Sequence, residues 1–204
     1  MAAIAAAGVA TSMAQVYSVN AVGYVNVALK KGFNQVANPL NNGDNKLGTI
    51  LPAVPDGTQV YTFTSGKFDD AVEFIEGFGW SDANKVLAPG TGAFVSVNAD
   101  ASVTFVGEVA QGDVGLPLVS GYQLISSKVP IEASLASTGN NGMNFPAADG
   151  DQVYFFVNGA FEDAREFIEG FGWSATEPTP KVAGSFFLFT KTARAWARTF
   201  TIQP

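Results

Sequence analysis

The sequence predicts a mainly β fold, two tandem homologous β-sandwich-like domains with short helical turns, and three observations carry that expectation. The stretch DGTQVYTFTSGKFDDAVEFIEGFGW, Asp56 to Trp80, returns as DGDQVYFFVNGAFEDAREFIEGFGW, Asp149 to Trp173, identical at 18 of 25 positions with a constant offset of 93. Seventeen Phe, 22 Gly and 10 Pro with only 14% charged residues suit short strands joined by many turns. A chain of 204 residues that is 47% hydrophobic can fill one large core or two of about 90 residues each. The offset selects two, over residues 15–109 and 110–204.

Composition also narrows function. The net charge is -7, so no basic surface is available to neutralise phosphates, and nucleic acid is not an expected partner. With neither histidine nor cysteine, the commonest general base and the commonest metal ligands are missing. The expectation is a non-enzymatic protein without cofactor. Met1 to Ala14, MAAIAAAGVATSMA, is an apolar run ending in the small-x-small pattern Ser12-Met13-Ala14, which reads as a signal peptide lacking its positive region; the other reading is a short buried helix. It is too short to span a bilayer. The expected location is therefore outside the cell, secreted or at the cell surface, with no membrane span.

In chain order, Val16 to Leu29 alternates as one or two strands, with Tyr24, Asn26 and Ala28 opposite Val25, Val27 and Leu29. Lys30-Lys31-Gly32 turns into a strand from Phe33 to Ala37; Asn41 to Asn45 is a loop, and Leu47 to Leu51 a single helical turn. Pro55-Asp56-Gly57 is a turn signal opening the duplicated block. Gln59 to Thr64 alternates as a strand. Beyond Ser65-Gly66, Phe68, Ala71, Val72 and Ile75 fall at helical spacing with Gly77 as C-cap, whereas a strand would place Asp70 on the face of Phe68, Val72 and Phe74. Periodicity favours the helix slightly. Strands over Ala93–Val97 and Ala101–Val109 close the first unit. The second repeats the pattern: Gly121–Ile125 answers Gly32–Val36 at an offset of 89, four extra residues within 127–148 restore the offset of 93, and 194–202 matches the closing strand.

The elements AVGYVNVALKKGFNQVANPLN, DGTQVYTF, LAPGTGAFV and VTFVGEV, in that order, resemble a group of secreted, largely uncharacterised tandem β-domain proteins of Verrucomicrobia and related bacteria. GFNQVANPL is also similar to a strand of β-sandwich modules in large bacterial surface proteins. The resemblance spans essentially the whole mature chain. It implies an exported β-sandwich-like fold with a surface or structural role, and it favours a strand over Phe68–Ile75.

Candidate sites follow from the same residues. Trp80 and Trp173 each close a Gly-Phe-Gly sequence and would serve either as sugar-stacking platforms for a surface polysaccharide or, the favoured reading, as core residues. Asp69, Asp70, Glu73 and Glu76 stay acidic in both copies and are weak calcium candidates against the plainer reading of a solvated face. The stretch 181–204 carries Lys181, Lys191, Arg194 and Arg198 and no acid, and Arg194, Trp196, Arg198 and Phe200 share one strand face. A basic end and an acidic body favour head-to-tail self-association and open filaments; a charge-guarded edge strand is the other reading. Val16, Tyr17, Val19, Val22, Tyr24, Val25 and Val27 form a nearly uncharged strand that either pairs within its own unit or completes the sheet of another copy.

Overall fold

The computed structural model describes residues 21–202; the segment read as a signal peptide, Met1 to Ala14, and Val16, Tyr17 and Val19 lie outside them. The chain is mainly β, and among the described residues all strand pairs are antiparallel. The first half runs β1 (Val22–Leu29), β2 (Gly32–Ala37), α1 (Leu47–Ile50), β3 (Gln59–Thr64), β4 (Lys67–Phe68), β5 (Val72–Ile75), β6 (Gly79–Trp80), β7 (Gly92–Val97) and β8 (Ala101–Glu108). The second runs β9 (Gly112–Asp113), β10 (Leu116–Leu118), β11 (Gly121–Ile125), β12 (Gln152–Tyr154), β13 (Phe156–Val157), β14 (Ala160–Phe161), β15 (Arg165–Ile168), β16 (Gly172–Trp173), β17 (Phe186–Thr190), β18 (Arg194–Trp196) and β19 (Thr199–Phe200).

Two larger sheets have the same strand order, β2-β7-β3-β5-β6 and β11-β17-β12-β15-β16. Opposite the first lies the antiparallel β1–β8 pair, joined without interruption from Val22↔Glu108 to Leu29↔Ala101. Its alternation turns Val25, Val27 and Leu29 toward the core and leaves Val22, Tyr24 and Asn26 outside. The helical turn at Leu47 buries Leu47 and Ile50. One cluster, including Leu29, Leu40, Val60, Trp80 and Phe105, fills the space between these layers in the first half, and a second, including Leu118, Phe145, Phe186 and Trp196, does so in the second. Removing such side chains from water stabilises by about 1.5–3 kcal/mol each.

The segment after Ser65-Gly66 is strand, not helix. Asp69 accepts hydrogen bonds from the Thr62 and Thr64 hydroxyls at 2.6 and 3.0 Å, which folds the chain back along β3. Val72 and Phe74 then point into the core, while Glu73 is half-buried and Ile75 exposed. Long-range pairing overrides a local helical spacing that only the first copy carries in full.

Candidate functional site

The two halves meet through aromatic rings. Tyr61, Phe63 and Phe94 from β3 and β7 face Tyr154, Phe156 and Phe187, their equivalents at the offset of 93, in a third apolar cluster together with Leu124. The contacts are reciprocal. Phe63 meets Phe187 at 4.9 Å between ring centroids and Phe156 meets Phe94 at 5.1 Å, both edge to face. Phe68 lies 5.9 Å from Phe187 and Phe161 lies 6.1 Å from Phe94. Phe94 and Phe187, which are equivalent, touch each other at 6.2 Å. Reciprocity of this kind is what an isologous, two-fold interface requires.

Backbone contacts obey the same symmetry. Ala37 N donates to Ala183 O at 2.8 Å, and Ser126 N donates to Gly90 O at 3.0 Å. Gly92 sits at a close approach of the halves: a Cβ there would fall 2.6 Å from Cβ of Ser185, its equivalent, and 2.7 Å from Cγ of Leu124. Only a residue without a side chain fits at that approach.

On either side of this seam opens an apolar cleft, and the two clefts are lined by equivalent residues. The first is a cavity of about 340 Å³ walled by Phe33, Tyr61, Phe68, Phe94, Phe156 and Phe161. The second, about 290 Å³, is walled by Tyr122, Tyr154, Phe161, Phe187, Phe63 and Phe68. Phe68 and Phe161, 46% and 51% exposed, stand at the rims of both. Tyr61 and Tyr154 donate their hydroxyls to Gln59 and Gln152 at 2.7 and 2.6 Å. Burial, and then the neighbouring Tyr122, push the Tyr154 phenol well above its ordinary range. The walls therefore offer ring faces and edges together with the tyrosine hydroxyls. Volumes of this size admit one aromatic side chain or a small ligand.

A second exposed aromatic feature is also duplicated. The β5–β6 and β15–β16 hairpins carry Phe78 and Phe171 at their tips, each 90% exposed. The first turn is closed by Phe78 N donating to Ile75 O at 3.0 Å, with Gly77 at φ 82°, the value a type II turn demands at its third position. The Asp56 carboxylate accepts from Glu76 N at 2.8 Å, and Asp149 from Glu169 N at 3.2 Å. Both tips are thus braced from below while their rings stand 90% exposed.

The sites expected from the sequence fall elsewhere. Trp80 is buried, packs on Phe74 at 5.4 Å and donates its indole N–H to Leu51 O at 2.8 Å. Trp173 is half-buried, packs on Phe167 at 5.4 Å, and its buried Nε1 has no partner. Trp80 is thus a core residue, and the half-buried Trp173 packs on its own hairpin. Asp69 is engaged by Lys85 at 2.8 Å and, with Thr62 and Thr64 adding, is held down at about 2. Of Asp69, Asp70, Glu73 and Glu76 only Glu73 lies in a strand, and among the described residues no group of three or more Asp or Glu is placed to hold a metal ion. Val22, Tyr24, Val25 and Val27 pair with β8 of their own chain.

The basic strand face is present but turned inward. Trp196 is buried and donates to Met143 O at 2.7 Å. Arg194 donates from Nε to Pro146 O at 2.8 Å and pairs with the buried Asp151. Arg198 is only 5% exposed and donates to Ser127 Oγ at 2.8 Å, while its Nε and other terminal nitrogen have no partner. Burial lowers its pKa from the ordinary guanidinium value. Ala193, Ala195 and Ala197 face solvent instead. Alternation shows which residues share a face but not which way it points, and here the bulk of Trp196 and Phe200 draws the two arginines inside.

The aromatic clefts and hairpin tips were not singled out by sequence reasoning, although the signal was present: Tyr61, Phe63, Phe68, Phe78 and Phe94 all return as Tyr or Phe at the offset of 93. Among the described residues no helix is long and apolar enough to cross a membrane. Comparison of the chain with protein-family models, with curated proteins and with solved structures returned no match.

Proposed function

We propose that this chain is an exported, non-enzymatic structural protein of the cell surface or extracellular matrix that associates with copies of itself. The observation that carries this reading is the exposed aromatic surface: two clefts rimmed by half-exposed Phe68 and Phe161, and two Phe tips almost wholly in water. Large contiguous apolar surface on a soluble chain marks interaction sites. The apolar run ending Ser12-Met13-Ala14 supports export, and the absence of histidine and cysteine from the sequence supports a role other than catalysis.

The contact surface moves accordingly. Self-association through Arg194, Trp196 and Arg198 loses its support, since these residues serve the interior of their own half. Strand exchange through the N-terminal strand is weakened by the complete β1–β8 ladder. The tryptophans give no support to glycan binding, because their rings are packed. Sedimentation velocity of the full chain over a hundredfold range of concentration tests the proposal. Concentration-dependent growth that is abolished by Phe68→Glu with Phe161→Glu, both still folded by circular dichroism, is expected; a monomer at every concentration overturns it.

A further inference from the structure

The hairpin tips and the clefts are complementary, and we infer that Phe78 and Phe171 of one copy insert into the aromatic clefts of the next, joining the chains head to tail. The inference rests on the self-association reading and specifies its contact. Four observations converge on a second copy of this chain as the occupant. First, tips and clefts each occur twice at the same offset of 93, so the pseudo-symmetry that relates the clefts also relates the tips. Second, the clefts, about 340 and 290 Å³, have room for a benzyl side chain, and their wall rings already stand at edge-to-face spacings of 5.1–6.1 Å that an inserted ring continues.

Third, charge matches at the first cleft, whose basic flank the second lacks, since Ala160 and Ser120 stand where the first has Lys67 and Lys31. Each tip carries an exposed acid beside the ring, Glu76 or Glu169. The first cleft is flanked by exposed Lys67, next to Phe68, and by Lys31, which lines the groove adjoining Phe33 and Phe156. Such pairs at the rim of a contact steer encounter and fix register. Fourth, the turn is held before binding: Gly77 and Gly79 adopt φ 82° and 86°, and Asp56 braces Glu76 N, so little conformational freedom is lost when the ring docks. A tip seated in the cleft of one neighbour while its own cleft takes the tip of another is a heterologous contact, which propagates into a filament unless the rotation closes it into a ring; reciprocal exchange between two copies would instead close as a two-fold dimer.

The test compares wild type with Phe78→Ser/Phe171→Ser in the full chain. Both positions are 90% exposed, so these changes leave folding intact. The expected result is at least a tenfold rise in the concentration needed for assembly. In parallel, a photoreactive benzoylphenylalanine at position 78, in a mixture of isotopically light and heavy chains, is expected to give light–heavy crosslinks at cleft residues such as Phe33, Phe68 or Phe161. Assembly unchanged by the double tip variant, or crosslinks that map outside the clefts, overturns the inference while leaving self-association standing. A wild-type chain that never assembles removes both.

Discussion

The inner face of the closing strand differs between the halves. In the first half it is apolar: Ala101, Val103 and Phe105 of β8 point into the core, and Phe105 is fully buried. In the second half the same positions carry Arg194, Trp196 and Arg198. Correlated changes accompany them. Where the first half has Thr58, the second has buried Asp151, which receives Arg194. Where the first has Asn38, whose side chain donates to Leu87 O and Asn45 Oδ1, the second has the smaller Ser127, which accepts from Arg198. The ladder differs too. β1–β8 is continuous, whereas its counterpart is broken into β10–β18 and β9–β19 around Val114-Gly115 and Ala197-Arg198. The two halves share a strand order, and each fills its interior in its own way. The cost falls on the second half, where two guanidinium nitrogens of Arg198 are buried without partners.

Exchanging the two residues breaks the comparison most sharply. Phe105→Arg places a charge where Leu29, Val36 and Val95 supply no acceptor, and the expected loss is about 4 kcal/mol or more, enough to unfold a chain of marginal stability. Arg198→Met removes an unpaired buried charge and has the opposite sign: a gain of about 1–4 kcal/mol, read as a rise in Tm of about 2–4 °C per kcal/mol. Calorimetric melts of both variants check the pair. A destabilised Arg198→Met protein would mean that the bond to Ser127 and the stacking over Phe200, 5.9 Å from the guanidinium, outweigh desolvation.

The tryptophans sharpen it at lower energy. Trp80 has a carbonyl to bond because α1 ends at Ile50 and presents Leu51 O; among the described residues the second half has no helix, and the Trp173 N–H is left alone. Trp→Phe loses ring volume at both sites but a hydrogen bond at only one. Trp80→Phe should therefore cost about 1 kcal/mol more than Trp173→Phe, as urea midpoints would show. Equal losses would mean that the Nε1 environments are the same.

Much of the fold was legible because a strand's period of two is visible wherever one face is wet, as in Tyr24-Val25-Asn26-Val27. The site was less so. β3 and β7 are covered on both faces, one by the core cluster and the other by the partner half, so Tyr61, Phe63 and Phe94 give no alternation that separates a seam from a core. The inward turn of Arg194 and Arg198 was hidden for a related reason: charge suggested an outer face, while the volume of Trp196 and Phe200 decided the inner one. The strand at Val72–Ile75 depends on its pairing with β3, which the periodicity of 68–75 does not contain.

The smallest expected effect concerns how each half neutralises its equivalent acid. Asp69 is paired with Lys85 and bonded by Thr62 and Thr64, whereas Glu162 is paired with Arg165 at 2.8 Å. Arg165 occupies the position of Val72, and it stacks 5.0 Å from the ring of Phe155, which replaces Thr62; Lys85 is replaced by Pro178. The second half thus holds its acid through a cation seated on an aromatic face, the first through a lysine and two hydroxyls. Asp69 titrates at about 2 when folded, below its ordinary 3.8. A depressed carboxylate contributes stability that is fully present above the unfolded value and is lost as pH falls through the folded one, so the window runs from about pH 4 down to about pH 2. Lys85→Met should raise the Asp69 value toward 3.8 and flatten the acid limb of the stability curve, only partly, because the two threonine hydroxyls remain. Arg165→Met should instead act through lost stacking and be felt at neutral pH. The carboxyl resonance of Asp69, followed by NMR from pH 5 to 2 in wild type and Lys85→Met, separates the cases: a titration unmoved by removing Lys85 would assign the depression to the hydroxyls alone.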